Sequence, residues 1–238
     1  MRAPSLIITA LVGLIVNVSV QAAHASTVTF VTPTGSTESG GNPVNASATF
    51  TTSDGQIAVT LTDLLANPAT IAQLISDLSL TLSTGQTTGT LASSSGTQIN
   101  VAANGTFTLG ATASTGWGLN NNVSGGLQLD ALGFIGPAGL IIGPPDAGGL
   151  YSNANGSIAG NGPHNPFLDQ TATFLISVAG LTAADTVTSA EFSFGTTAGV
   201  EIAGVSPVPL PGALPLFASG LVGLGLLSLR RKRKALSF

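Results

Sequence analysis

The sequence predicts an all-β fold, an antiparallel β-sandwich of the jelly-roll type. Short segments alternate apolar residues with Thr or Ser at a period of two, which is the pattern of strands that bury one face. Clusters of Gly, Asn and Pro separate these segments, as turns require. The chain has no Cys, so packing and backbone pairing must stabilise the fold without disulfides.

The period-two segments give the order of the strands. We expect strands at residues 28–30, 57–61, 78–82, 107–109, 127–134, 171–178, 186–194 and 200–205. Tight hairpin turns are favoured by three dipeptides, Asp54-Gly55, Asn104-Gly105 and Asn155-Gly156. No repeat of fixed period supports the alternative fold, a long β-solenoid.

Two segments depart from the strand pattern. Residues 68–74 are predicted to form a short helix, with Asn67 as its N-cap and Pro68 at the first helical position. Residues 138–167 are rich in Gly, Asn and Pro and lack periodicity, apart from a short strand expected at 140–142. A stretch of this length is typical of a solvated connector or of a functional loop, and we favour the connector.

The N-terminus has the three parts of a secretory signal peptide, over residues 1–25. Arg2 supplies the basic region and residues 6–16 the apolar region. Ala23 and Ala25 form the small-residue motif that predicts cleavage before Ser26. The apolar run is too short to span a bilayer, which argues against the alternative of an uncleaved anchor.

The C-terminus predicts one transmembrane helix, at residues 213–229. Residues 214–229 are apolar or small, whereas the prolines at 209, 211 and 215 favour an extended strip at 205–211. Five cations then stop transfer across the membrane: Arg230, Arg231, Lys232, Arg233 and Lys234. A buried core helix has no reason to end in such a cluster, and a glycolipid-anchor signal normally ends in its hydrophobic tail.

A proline-marked strip, a short membrane helix and a basic terminus together resemble the PEP-CTERM sorting domain. The resemblance covers residues 208–221 and the basic cluster, with Val208, Pro209, Leu210 and Pro211 where the family has its eponymous Pro-Glu-Pro. It implies an exopolysaccharide-producing Gram-negative host, whose integral-membrane exosortase recognises and cleaves the tail. Residues 151–168 and 191–197 also resemble a passenger type found upstream of such tails, to which no activity is assigned.

Charge is divided sharply between the ends and the middle of the chain. All six Lys and Arg residues are Arg2 and residues 230–234, whereas residues 26–206 hold ten acidic and no basic residues, a formal charge of −10. These carboxylates must be solvated, bound by backbone N–H groups or neutralised by a cation such as Ca²⁺, and no resident cofactor is predicted. The absence of Lys and Arg argues against nucleic acid as a partner, because phosphate contacts need cationic donors.

Few side chains between residues 26 and 206 suggest catalysis or metal binding. His164 is the only histidine left after cleavage, and with Asp146 or Asp169 it could bind a metal. Because the domain has no second histidine and no Cys, we favour the interpretation that His164 is a turn residue bonded to backbone. A Ser-His-Asp site would need the same histidine, and no Gly-x-Ser-x-Gly motif is present.

Two further pairs of residues suggest alternative functions. Glu191 and Glu201 could serve as the two carboxyl groups of a glycosidase, although an outward-facing solvated Glu191 is the commoner arrangement. Trp117 and Tyr151 could form a sugar-binding surface, although a single Trp in a β domain is more often part of the core.

We therefore expect three parts: a signal peptide at 1–25, a β domain at 26–206 and a sorting tail at 207–238. The protein would be exported, held in the inner membrane by its C-terminal helix and sorted to the cell surface or beyond, with a non-enzymatic structural or exopolysaccharide-associated role. The alternatives are a carbohydrate-binding module and a glycoside hydrolase. An exposed Trp117 beside a groove would favour the first, and two carboxyl groups about 5 to 10 Å apart in a cleft the second.

Overall fold

The computed structural model describes residues 25–133, 139–197 and 201–206, and in them the protein is all-β, as the sequence predicts. One short 3₁₀ helix, Ile71–Gln73, accompanies the strands. The strands are β1 (Ser26–Val31), β2 (Ala46–Ser53), β3 (Gln56–Asp63), β4 (Ile75–Leu82), β5 (Thr90–Val101), β6 (Phe107–Ala113), β7 (Gly118–Val123), β8 (Gly126–Asp130), β9 (Ile141–Ile142), β10 (Phe167–Ser177), β11 (Val187–Phe194) and β12 (Glu201–Ala203).

The predicted signal region up to residue 24 and the predicted tail from residue 207 lie outside the described residues. Within the part that is described, no helix has the length and apolar character needed to cross a membrane. The predicted membrane helix at 213–229 therefore stays a prediction.

The strands form one mixed sheet made of two antiparallel series. The first series runs in the order β1, β2, β3, β10, β5 and β6, and the second in the order β7, β8, β4, β11 and β12. The short strand β9 joins them, because it pairs in parallel with β10 and antiparallel with β4. The predicted strand at 140–142 is thus confirmed, and it connects the two halves of the sheet.

The hydrophobic core is one contiguous cluster, and strands of both series contribute residues to it. Alternate residues of β3, namely Ile57, Val59 and Leu61, are fully buried, whereas their neighbours Ala58 and Thr60 are exposed. This period of two follows from the pleat, which turns successive side chains to opposite faces. Almost every residue of β4 is buried, including the polar ones.

Two of the three predicted tight turns connect hairpin strands. Asp54-Gly55 links β2 to β3, and Asn104-Gly105 lies between β5 and β6. Gly105 has a φ of +79°, and a Cβ at this position would lie 2.8 Å from the carbonyl oxygen of Tyr151. A side chain there would therefore be strained and would also collide with backbone. Asn155-Gly156 lies instead in the turns between β9 and β10.

The predicted helix at 68–74 with Asn67 as N-cap is wrong. Only a single 3₁₀ turn forms, and its N-cap is Thr70, whose Oγ1 accepts the N–H of Ala72 at 3.0 Å. Asn67 has a φ of +53°, and its side chain bonds Ser152 and the N–H of Asn153. An N-cap needs an extended backbone and a free acceptor, and Asn67 offers neither.

The structure contains three strands that the sequence patterns did not predict: β2, β5 and β7. Each is rich in Ser, Thr, Ala, Gly or Asn and has few large apolar residues, so the period-two signal is weak. The other strands are confirmed, although β8 ends at Asp130 rather than at 134 and β12 is shorter than expected.

The segment from residue 143 to 166 is more than a solvated connector. Its Tyr151 and Ile158 are fully buried and belong to the core. The N–H of Asn155 bonds the carbonyl of Ala69, and the hydroxyl of Ser157 accepts the N–H of Ile71, so the segment also holds the 3₁₀ helix in place.

Candidate functional site

The outer surface of five adjacent strands, β1, β2, β3, β10 and β5, presents a regular array of Thr and Ser side chains, which we call the hydroxyl face. Strand register aligns this face in three rows, in which every residue except Val31, Ala58 and Leu175 is Thr or Ser. The rows are Thr29, Thr49, Thr60, Thr173 and Ser95; Thr27, Thr51, Ala58, Leu175 and Ser93; and Val31, Ser47, Thr62 and Thr171. Neighbouring strands lie about 4.8 Å apart and neighbouring rows about 7 Å apart in a pleated sheet. None of these positions is charged, although the domain is strongly acidic.

Many hydroxyls of this face satisfy each other. Thr29 and Thr49 are joined at 2.9 Å between their Oγ1 atoms, Thr27 and Thr51 at 3.2 Å, and Thr62 and Thr171 at 3.1 Å. Such cross-strand pairs stabilise a sheet by roughly 0.2–1 kcal/mol each. The rows therefore contribute to the fold, and they leave methyl and hydroxyl groups facing solvent.

A second polar feature is an Asp pair on the outer face of the other series. Asp77 of β4 lies directly opposite Asp130 of β8, and their carboxyl groups hydrogen-bond to each other. Asp130 Oδ1 accepts the N–H groups of Leu132 at 2.6 Å and Gly133 at 3.1 Å, and its Oδ2 accepts Nδ2 of Asn120 at 3.0 Å. These donors favour the ionised form of Asp130.

Asp77 is the protonated partner of this pair. Only 3% of Asp77 is exposed, and besides Asp130 its carboxyl group meets the hydroxyl of Ser76, at 3.2 Å from Oδ2, with a further donor in the N–H of Ala131. Burial, together with the adjacent Asp130, raises the pKa of Asp77 from 3.8 to about 7. For Asp130, burial acts in the same direction, but the hydrogen bonds from Asp77, Leu132, Gly133 and Asn120 outweigh it and lower the pKa.

A Glu pair lies on the same face of this series. Glu191 of β11 and Glu201 of β12 hydrogen-bond to each other, and Ser79 Oγ donates to Glu201 Oε1 at 3.3 Å. The bond to Glu201, then partial burial and the repulsion between the two charges raise the pKa of Glu191. The sequence names both residues, and the structure brings them together; Glu191 is half-buried rather than fully solvated.

The geometry of the Glu pair does not favour glycoside hydrolysis. Catalytic carboxyl groups of glycosidases lie about 5 to 10 Å apart, on either side of the sugar. Glu191 and Glu201 are in direct contact on the surface of the sheet, so no sugar ring fits between them.

One carboxyl group is buried completely. Asp63, at the end of β3, is 1% exposed, and its Oδ1 accepts the N–H of Leu65 at 3.0 Å, with a second donor in the N–H of Gly143. Its Oδ2 has no hydrogen-bond partner among the described residues. Burial raises the pKa of Asp63 well above its ordinary value, because the two backbone donors only partly offset desolvation. Burial therefore favours the protonated form of Asp63.

The two amphipathic aromatics belong to the core. Trp117 is 5% exposed, donates from Nε1 to the carbonyl of Gly139 at 2.8 Å and packs on Phe174 with 5.2 Å between ring centroids. Tyr151 is fully buried, and its hydroxyl donates to the carbonyl of Gly143 at 3.0 Å. The hypothesis of a sugar-binding surface built on these rings is therefore wrong, because neither ring faces solvent.

His164 lies in the turns before β10. It is half-buried, and its backbone N–H donates to the carbonyl of Asn161 at 3.1 Å. Asp146 caps a separate turn, with Oδ1 accepting the N–H groups of Gly148 and Leu150. Across the described ranges, no three His, Cys, Asp or Glu side chains are grouped so that they could hold a metal ion.

The export and sorting residues fall almost entirely outside the described residues. This applies to Ala23, to the strip from Val208 to Pro211 and to the cations from Arg230 to Lys234. Ala25 is the first described residue, and Ser26 begins β1.

Sequence reasoning missed the hydroxyl face and the Asp pair. The period-two Thr residues of β1 and β3 hinted at the face, but its rows depend on register with β2, β10 and β5. Asp77 and Asp130 lie far apart in sequence, and each looks like one polar residue on the solvent side of an apolar strand.

No protein-family model matches the chain, and neither a curated protein nor a solved structure matches it.

Proposed function

We propose that this chain is an exported protein of the PEP-CTERM type, sorted by an exosortase, whose β domain has a non-enzymatic structural or exopolysaccharide-associated role outside the cell. The observation that carries the proposal is the confinement of all Lys and Arg residues to the two ends, each beside an apolar segment. Cations beside apolar segments are retained on the cytoplasmic side during insertion. During export, the chain would accordingly interact first with the inner membrane and with the exosortase.

The position of the folded domain supports this division of the chain. The first strand begins at Ser26, the residue that follows the predicted signal cleavage site. At the other end, Val205 is tied to Val31 by two backbone hydrogen bonds of 2.8 and 2.9 Å. The folded domain thus includes Val205, the first residue of the predicted extended strip, and an enzyme that cuts at Val208 to Pro211 would leave the domain intact.

We also propose that the two strand series pack face to face as a β-sandwich. Residues of both series share one core, and β11 lies against β1 and β2 of the other series. Two antiparallel layers around one core are the usual way in which Thr-rich strands with one apolar face bury that face.

A carbohydrate-binding module is a second candidate function. Its binding surface would be the hydroxyl face rather than a surface built on Trp117 and Tyr151. The hydroxyl face is the observation that favours it, because rows of uncharged donors and acceptors match the chemistry of neutral sugars. The Glu pair, in direct contact, gives no comparable support to a hydrolase.

The basic cluster provides the test of export and sorting. Replacing Arg230, Arg231, Lys232, Arg233 and Lys234 by glutamine should release unprocessed protein, because nothing then stops the tail from crossing the membrane. The matched control replaces the three arginines by lysine, keeps all five charges and should behave as the parent chain. Fractionation and immunoblotting of host cells measure retention and processing, and equal retention of the glutamine variant would refute the proposal.

A further inference from the structure

Two open depressions follow each other along the C-terminal end of β10, the first of them within the hydroxyl face, and we call the two together the groove. A depression of about 300 Å³ lies over residues 173–175, between β3 and β5. A second depression of about 440 Å³ follows over residues 177–179, between Gly55 and residues 88–90. Residues 173–179 comprise the last five residues of β10 and the two that follow it, and at about 3.3 Å per residue they extend over roughly 20 Å. This length suits a linear polymer better than a compact ligand.

The hydroxyls of this groove differ from those of the rest of the face. Elsewhere Thr side chains bond each other in pairs, as Thr29 does with Thr49. The side chains of Thr60, Ser93 and Ser95 hydrogen-bond no other described residue, and Thr173 only reaches the carbonyl of Ser95 at 3.5 Å. The groove therefore has donors and acceptors that are free for a ligand.

The charge of the domain selects against ionic polymers. No charged side chain lines either depression, and residues 26–206 carry ten acidic and no basic residues. The field of such a domain repels polyanions, and the groove offers no carboxylate to attract polycations. A neutral polymer is the partner that this surface fits.

The floor of the groove also argues against an extended peptide. Peptides that bind to sheets usually pair with an exposed edge strand. Here β10 is an inner strand, with backbone partners in β3 on one side and in β5 on the other. Only side chains remain for recognition, and those are hydroxyls.

We propose that this groove binds a single chain of a neutral polysaccharide, through hydroxyl-to-hydroxyl hydrogen bonds along β10. The inference deepens the proposed exopolysaccharide association and rests on it for the class of ligand. Because no exposed aromatic ring lines the groove, binding is weak for one chain and depends on many chains or many copies acting together.

The test is electrophoresis of the full chain, in a mild detergent, through gels containing dextran, amylose or β-1,3-glucan. Gels with alginate, a polyuronate, and with gelatin, an unfolded polypeptide, represent the other polymer classes. We expect at least one neutral glucan to retard the chain and the last two to have no effect. No retardation by any neutral glucan, or stronger retardation by alginate or gelatin, would overturn the proposal.

Matched variants locate the binding site. The groove variant combines Thr60→Val, Ser93→Ala and Ser95→Ala, which removes three free hydroxyls and should weaken binding roughly ten- to hundredfold at about 1 kcal/mol for each hydrogen bond. The control variant combines Thr81→Val, Thr188→Val and Ser189→Ala, removes three hydroxyls of the other strand series, outside the hydroxyl face, and should bind as the parent does. Equal binding by the two variants would contradict the assignment.

A second variant keeps the test decisive if the triple variant does not fold. Ala58→Gln adds an uncharged side chain at an exposed position inside the first depression, and it should block binding while thermal unfolding is unchanged. Undiminished binding by this variant would place the ligand elsewhere. Export and sorting are read from cell fractionation and do not depend on the groove, so either proposal can fail without the other.

Discussion

At the scale of single residues, hydrogen bonds and protonation accommodate acidic groups of a domain that has no Lys or Arg between residues 26 and 206. Asp130 is held by three N–H donors, whereas its neighbour Asp77 shares a proton with it. Burial raises the pKa of Asp63 well above its ordinary value. Two like charges in contact are avoided by protonation, which makes part of the fold sensitive to pH.

The Asp pair predicts a fall in stability with rising pH. The pKa of Asp77 is about 7 in the folded protein and near 3.8 in the unfolded chain. Between these values the unfolded chain has released the proton and the folded protein still holds it, so the free energy of unfolding falls from about pH 4 to pH 7. At roughly 1.4 kcal/mol per pKa unit, with some screening, the loss is about 3 kcal/mol.

Urea unfolding of Asp77→Asn at pH 4, 6 and 8 measures this effect. The asparagine cannot ionise, so the variant should gain on the parent chain as pH rises, by about 3 kcal/mol at pH 8. Asp130→Asn should flatten the parent's pH profile only in part, because burial, the larger cause of the raised pKa of Asp77, remains, and adding Asp77→Asn should remove the rest. Parallel profiles for the parent and Asp77→Asn would contradict the shared proton.

At the scale of elements, the 3₁₀ helix depends on one buried side chain. Gln73 Oε1 accepts the N–H groups of Ala69 and Thr70, at 2.7 and 3.1 Å, and its Nε2 donates to the carbonyl of Pro43 at 2.8 Å. This amide fixes the start of the helix and joins it to the segment before β2.

Gln73→Leu should therefore cost about 2–4 kcal/mol of stability. The leucine has a similar volume but leaves two part-buried N–H groups and one carbonyl without this partner, each worth about 1–3 kcal/mol when fully buried and less where water reaches it. Thr70→Ser is the matched control, since it keeps the capping oxygen and should change stability by only a few tenths of a kcal/mol. Chemical denaturation measures both, and a neutral Gln73→Leu would contradict the structural role of the amide.

The elements also show where sequence patterns suffice. The strands at β3, β4, β10 and β11 have large apolar residues at a period of two and were predictable. The cap of the short helix was not, because Asn67 and Thr70 are both good caps by residue type. Contacts of Asn67 with Ser152 and Asn153, from a distant segment, decide between them.

At the scale of the whole molecule, the candidate surfaces arise from register between distant strands. Glu191 and Glu201 are close in sequence on successive strands, so their pairing could be anticipated. Thr60 meets Thr173, and Asp77 meets Asp130, only because the sheet aligns remote segments. Composition predicted that acids would need hydrogen bonds or neutralisation, but it could not say which acids would share a proton.

The proposed fate of the chain follows from its charge distribution. Removal of both ends would leave ten acidic and no basic residues in the finished protein. The hydroxyl face, which has no charged side chain, would remain in the finished protein, and both export segments would be gone.

Intact mass spectrometry of the protein recovered from the surface or medium of its native cells tests this account most directly. We predict a chain that begins at Ser26 and lacks Arg230 to Lys234, with a C-terminus in or near the strip from Val208 to Pro211. A surface-exposed chain that still begins at Met1, or that still ends at Phe238, would contradict the account.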